Sequence, residues 1–147
     1  MIEDAFTATH RRGMELLEQA DTIRGLATMV RNELTHLMDG DDPTRFTTTE
    51  HSSMIVAIGR VAGEMEDTAD LLIRTEEGRH AFSRVPHEYA TDLLDMAGAI
   101  RGVADILDER TCLSLRERQI MIASIVYTAS RAMNTCDGII RKEEGRE

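Results

Sequence analysis

Apolar residues recur at alternating steps of four and three along four stretches of the chain. The first stretch carries Leu16, Ala20, Ile23, Ala27, Val30, Leu34 and Leu37, and the third carries Leu93, Ala97, Ile100, Ala104 and Leu107. The second carries Ile55, Ile58, Ala62, Met65, Ala69 and Leu72, and the fourth carries Ile122, Ile125, Ala129, Ala132, Cys136 and Ile139. This heptad spacing predicts four amphipathic helices, at about 10–38, 48–77, 86–109 and 115–143.

The four stretches form two similar pairs. Residues 16–27 align with 93–104 at an offset of 77, and residues 50–79 align with 117–146 at an offset of 67, with thirteen of 30 positions identical in the second alignment. Helical composition alone would not readily place both blocks in the same order. The sequence therefore predicts an internal duplication, with one copy at about 10–79 and the other at about 87–146.

Each copy is predicted to be an antiparallel αα-hairpin, because its two helices are joined by a short link. A single hairpin leaves the apolar side of both its helices exposed. Two hairpins packed together bury these apolar sides against each other. We therefore predict one all-α domain, residues 1–147, folded as a four-helix bundle. The same hairpins could pair between chains, so a homodimer stays open. Glycines inside the predicted helices are expected to allow close helix approach, namely Gly59, Gly63, Gly98 and Gly102.

The predicted helix boundaries have local signals. Thr47-x-x-Glu50 and Ser114-x-x-Glu117 match the capping box, in which a hydroxyl and a carboxylate satisfy free backbone N–H groups. Gly78 and Gly145 follow the second and fourth helices, where a left-handed C-cap is common. These signals recur at equivalent positions of the two copies.

Composition narrows the classes of partner. The net charge is −10, which repels nucleic-acid backbones and anionic membranes, and aromatic residues make up only 3% of the chain. We therefore expect a protein partner, with a basic one favoured, and neither direct nucleic-acid nor membrane binding. No secretory signal or membrane span is found, and the two cysteines are not expected to form a disulfide. These features predict a cytoplasmic protein.

One short motif resembles a known enzyme family. Arg31-Asn32-Glu33-Leu34-Thr35-His36 is similar to the Arg-x4-His signature of HEPN-family helical RNases. The resemblance covers six residues and implies phosphodiester cleavage by Arg31 and His36, the only catalytic candidates. Glu33-x-x-His36 and Glu77-x-x-His80 match a di-iron pattern, but consecutive antiparallel helices place them at opposite ends of a hairpin. No cofactor or metal site is predicted.

The clearest difference between the two copies is a loop of about ten extra residues in the first. It contains Asp39, Asp41, Asp42 and Phe46, which we select as partner-binding candidates because variable loops often carry function. Three functions follow as hypotheses. The first is a non-enzymatic interaction or regulatory protein, the second an acidic inhibitor of a nucleic-acid-binding protein, and the third a HEPN-like RNase.

Overall fold

A computed structural model describes residues 5–38, 48–78, 87–110 and 112–143. These residues form four helices and no strand: α1 spans Ala5–Met38, α2 Thr48–Gly78, α3 His87–Glu109 and α4 Leu115–Glu143. The predicted boundaries are confirmed to within about one residue at seven of the eight helix ends, whereas α1 begins earlier than expected. The all-α four-helix architecture is thus confirmed.

Each helix packs antiparallel against two neighbours. The start of α1 meets the end of α4 at Gly13 and Ile139, whereas Thr35 near the end of α1 bonds Gln119 near the start of α4. In the same way α2 runs antiparallel to α3. The most extensive contacts join α1 to α4 and α2 to α3, so the largest interfaces lie between the predicted hairpins rather than within them.

The heptad seams form the core. Almost every predicted seam position is at most 2% exposed, from Leu16 in α1 to Ile139 in α4. Burial of these aliphatic side chains is the main favourable contribution to folding, because each one removes apolar surface from water. The seam positions predicted from spacing are therefore confirmed as core positions.

The two predicted copies have similar environments at aligned positions. Ile58 and Ile125 are both buried. Arg74 pairs with Asp70 at 2.9 Å, and the aligned Arg141–Asp137 ion pair measures 2.8 Å. The duplication itself stays a prediction from sequence.

The α3–α4 turn is closed by two local devices. Ser114 and Glu117 form the predicted capping box, because the Glu117 N–H donates to Ser114 Oγ (3.1 Å) and the Ser114 N–H to Glu117 Oε1 (3.3 Å). The Arg118 guanidinium donates to the carbonyl oxygens of Leu107 and Arg110, at 3.3 and 2.8 Å. Such carbonyls at a helix C-terminus have no partner within their own helix. The other predicted capping box begins at a position outside the described residues.

The expectation of close helix approach at glycine is wrong for two of the four positions chosen, Gly63 and Gly102. A Cβ added to Gly63 or Gly102 meets no atom within 4 Å, and at Gly59 it would make an ordinary contact with Ala104 Cβ at 3.6 Å. The close approach lies instead at Gly13, where a Cβ would stand 3.3 Å from side-chain carbons of two α4 isoleucines. Helical spacing does not show which glycine faces a neighbouring helix.

Alanine substitutions at two glycines of α1 are expected to have opposite effects. Gly25→Ala should raise the free energy of unfolding by about 0.5–1 kcal/mol, because its Cβ enters open space and alanine favours the helix. Gly13→Ala should lower it by about 1 kcal/mol, because the buried Ile139 cannot easily yield. Urea unfolding measures both, and stabilisation by both substitutions would contradict the α1–α4 packing.

Candidate functional site

Charge is divided unequally between the two most extensive helix pairs. The sequences of α2 and α3 contain thirteen acidic and three basic residues, whereas those of α1 and α4 contain seven acidic and nine basic residues. Because α2 packs on α3 and α1 on α4, the acidic excess falls on one half of the bundle. The net negative charge of the four helices is therefore concentrated on one side.

The carboxylates of this half are available at the surface. Eight of them are exposed and form no ion pair with another described residue: Glu64, Asp67, Glu88, Asp92, Asp95, Asp105, Asp108 and Glu109. We call this set the acidic face. Six of its members lie on α3, whose one basic residue, Arg101, pairs instead with Glu66 of α2 at 2.9 Å.

Three acids of the opposite half, Glu15, Asp21 and Asp137, form ion pairs with arginines of their own helices. Glu15 lies 3.3 Å from Arg12 and 3.9 Å from Arg11, and Asp21 lies 3.2 Å from Arg24. These pairs border or adjoin a shallow α1–α4 groove of about 510 Å³, lined in part by Met14, Leu17 and Met133. Arg11, Glu15, Glu18 and Asp21 also line the groove, and two of these three acids are already ion-paired, so the groove differs from the acidic face.

Exposed apolar side chains accompany the carboxylates. Val56 and Leu71 on α2 and Ile106 on α3 are 42%, 41% and 40% exposed. Protein interfaces combine a few apolar contacts with a charged rim that orients the partner. The α2–α3 half therefore carries both components on its surface.

A second polar cluster lies at the end of the bundle where α1 ends and α4 begins. Glu33 of α1 is only 4% exposed, and its Oε1 has no hydrogen-bond partner among the described residues. His51 of α2 lies in the field of both the Glu33 carboxylate and the Arg118 guanidinium, and burial lowers its pKa below the ordinary 6.5. Arg118 also donates to the Leu107 carbonyl near the end of α3, so all four helices contribute a residue to this end of the bundle.

Acidification is expected to destabilise the bundle through His51. The causes of its lowered pKa are burial first and Arg118 second, partly opposed by Glu33. The unfolded chain therefore takes up a proton more readily than the folded chain, so stability falls as the pH drops below 6.5. Urea midpoints measured from neutral to mildly acidic pH should fall less steeply for His51→Gln, and an unchanged slope would contradict this environment.

The two predicted catalytic residues both lie on α1. Arg31 is half-buried, and His36 is exposed. Five residues of helix place them about 140° apart around the α1 axis. Glu33, which lies between them in the sequence, is buried. The predicted partner-binding residues, Asp39, Asp41, Asp42 and Phe46, lie outside the described residues.

Sequence reasoning missed both clusters, for different reasons. The charge division could be counted from the composition of each helix, but its meaning depends on which helices are neighbours. The cluster of Glu33, His51 and Arg118 joins segments that are distant in the sequence. Its one signal in the sequence is the Glu33 carboxylate beside the apolar seam.

The described residues contain no group of three or more His, Cys, Asp or Glu side chains arranged to hold a metal ion. Within the same residues, no helix is long and apolar enough to cross a membrane. Comparisons with protein-family models, curated proteins and solved structures find no match.

Proposed function

We propose that this protein is a non-enzymatic interaction protein that binds a basic protein partner through its acidic face. The observation that carries the proposal is the set of eight exposed carboxylates on α2 and α3 that pair with no other described residue, opposite an α1–α4 half with a basic excess. Among the described residues, no neighbouring cation cancels the negative potential of these surface carboxylates. This potential attracts a basic partner and fixes its orientation. The proposal includes a cytoplasmic location.

A second candidate function is favoured by the same face. An array of carboxylates along a helix can occupy a surface that otherwise binds phosphates, which would make this chain an inhibitor of a nucleic-acid-binding protein. It predicts that nucleic acid and this chain compete for one site on the partner. A ternary complex of chain, partner and nucleic acid would contradict it while leaving the interaction proposal intact.

The first experiment is affinity capture from a lysate of the source organism, with and without nuclease, read by mass spectrometry. We expect a stoichiometric basic protein that resists nuclease and is released by salt, because surface charge pairs are screened. Recovery of RNA, or a partner whose binding ignores salt, would contradict the proposal. RNA recovery would make Arg31→Ala and His36→Ala the next variants, as tests of RNase activity.

A further inference from the structure

The outer side of α4 carries a second apolar stripe. Ile120 and Tyr127 are 61% and 64% exposed, more than any other large apolar side chain described. They are seven residues apart and so lie on the same side of the helix, with the exposed Ala123 and Ser124 between them. We call Ile120, Ala123, Ser124 and Tyr127 the outer stripe.

This stripe is separate from the surface with which α4 joins the bundle. The buried positions of α4 include Ile122, Ile125 and Ala129, whereas Gln119 is directed to α1 through its bond to Thr35. Because the core face of α4 is already buried, a second stripe of apolar side chains makes no contribution to packing within the bundle. The stripe shares no residue with the acidic face, whose members all lie on α2 and α3.

The charges beside the stripe are arranged to pair between two copies of the chain. Glu117 and Arg131 lie seven residues before and seven residues after Ser124, at the same heptad position on the exposed side. Neither forms an ion pair with another described residue, and Arg131 lies over the Tyr127 ring, 5.9 Å from its centre. The capping box with Ser114 positions the Glu117 carboxylate.

An antiparallel pair of α4 helices, one from each copy, brings these opposite charges together. If a twofold axis passes at Ser124, Glu117 of each copy lies opposite Arg131 of the other, giving two equivalent ion pairs. Ile120 of one copy then lies within about 1.5 Å, along the axis, of Tyr127 of the other. The small residue next to Ser124, an alanine, lets the two helices approach. A twofold interface is self-complementary in this way, because a residue i that contacts residue j of the partner is matched by j contacting i.

We propose that the outer stripe is the contact surface for a second copy of this chain, in an antiparallel twofold dimer centred at Ser124. The surface is one helix wide, which is less than the ~800 Å² per partner of a standard stable interface. The dimer is therefore weak and forms at high concentration. The dimer does not depend on the proposed function.

Sedimentation equilibrium from micromolar to millimolar concentration tests the dimer. We expect a monomer–dimer equilibrium whose dissociation constant rises at least tenfold in Tyr127→Glu, whereas Val56→Glu on α2 leaves it unchanged. Circular dichroism confirms that both variants are folded. A chain that stays monomeric at millimolar concentration, or a dimer indifferent to Tyr127→Glu, would overturn the proposal and leave the stripe to a different protein.

Two further variants test the register. Arg131→Glu should weaken the dimer, and adding Glu117→Arg should restore it, because the pair is rebuilt with its signs exchanged. In a Cys112→Ser background, Ser124→Cys should form an intermolecular disulfide on mild oxidation, whereas Ser53→Cys on α2 should not. The twofold at Ser124 would be overturned if the chain forms a dimer but Ser124→Cys gives no cross-link. It would also be overturned if the double variant does not restore the dimer.

Discussion

Neutralising four carboxylates of α3 is expected to weaken binding of the basic partner by about 30-fold at low salt. The variant carries Asp92→Asn, Asp95→Asn, Asp105→Asn and Glu109→Gln. Exposed charge pairs contribute roughly 0.5 kcal/mol each, so four of them amount to about 2 kcal/mol. The dependence of affinity on salt should also become shallower, because fewer charges are screened.

The matched control changes the same number of charges on the other half of the bundle. It carries Glu15→Gln, Glu18→Gln, Asp21→Asn and Asp137→Asn, so the net charge of the two variants is equal. Three of these four acids are already paired with arginine of their own helix. Isothermal titration calorimetry compares the two variants with the unaltered chain. Equal weakening by both would mean that total charge, and not the acidic face, determines binding.

The two cysteine thiols are expected to differ in reaction rate by several orders of magnitude. Cys112 is exposed, whereas Cys136 is fully enclosed in the core. Burial raises the pKa of Cys136 from 9.0 to about 12, which alone reduces the reactive thiolate about a thousandfold. A disulfide reagent at mildly alkaline pH should label one thiol quickly and the second only after denaturant is added. Rapid labelling of both thiols in the folded chain would contradict the enclosed position of Cys136.

The same assay can examine the equivalence of the two predicted copies. Ala69 of α2 aligns with Cys136 of α4, and both are fully buried. In a chain with Cys112→Ser, Cys136→Ala and Ala69→Cys, the new thiol should be as slow to react as the original. Ala123→Cys on the outer stripe, in the same background without Ala69→Cys, is the exposed control. Rapid labelling of the Ala69→Cys variant would show that the α2 seam is open.

The helices and the core followed from the sequence because both depend on local spacing. A heptad pattern defines which side of a helix is apolar, and the positions it selected, such as Ile58 and Cys136, are buried. The Ser114 capping box could likewise be predicted because all of its partners lie within four residues. For such features the sequence carries the same information as the structure.

The candidate sites depend on contacts between distant segments, which spacing does not reveal. Gly13 and Gly63 look alike in the sequence, yet only Gly13 of the two touches a neighbouring helix closely. Likewise, the carboxylates of α2 and α3 become one acidic face only because those helices are neighbours. The outer stripe was missed because the stronger seam of α4 dominates its pattern.

The binding of a basic protein at the acidic face is tested most directly by NMR. Backbone amide shifts of the labelled chain would be followed during titration with the captured partner, at a concentration low enough to keep the chain monomeric. We predict that the largest changes fall on α3 and the outer side of α2, around Asp95 and Asp105. Changes confined to α1 and α4, with α3 unaffected, would contradict the account.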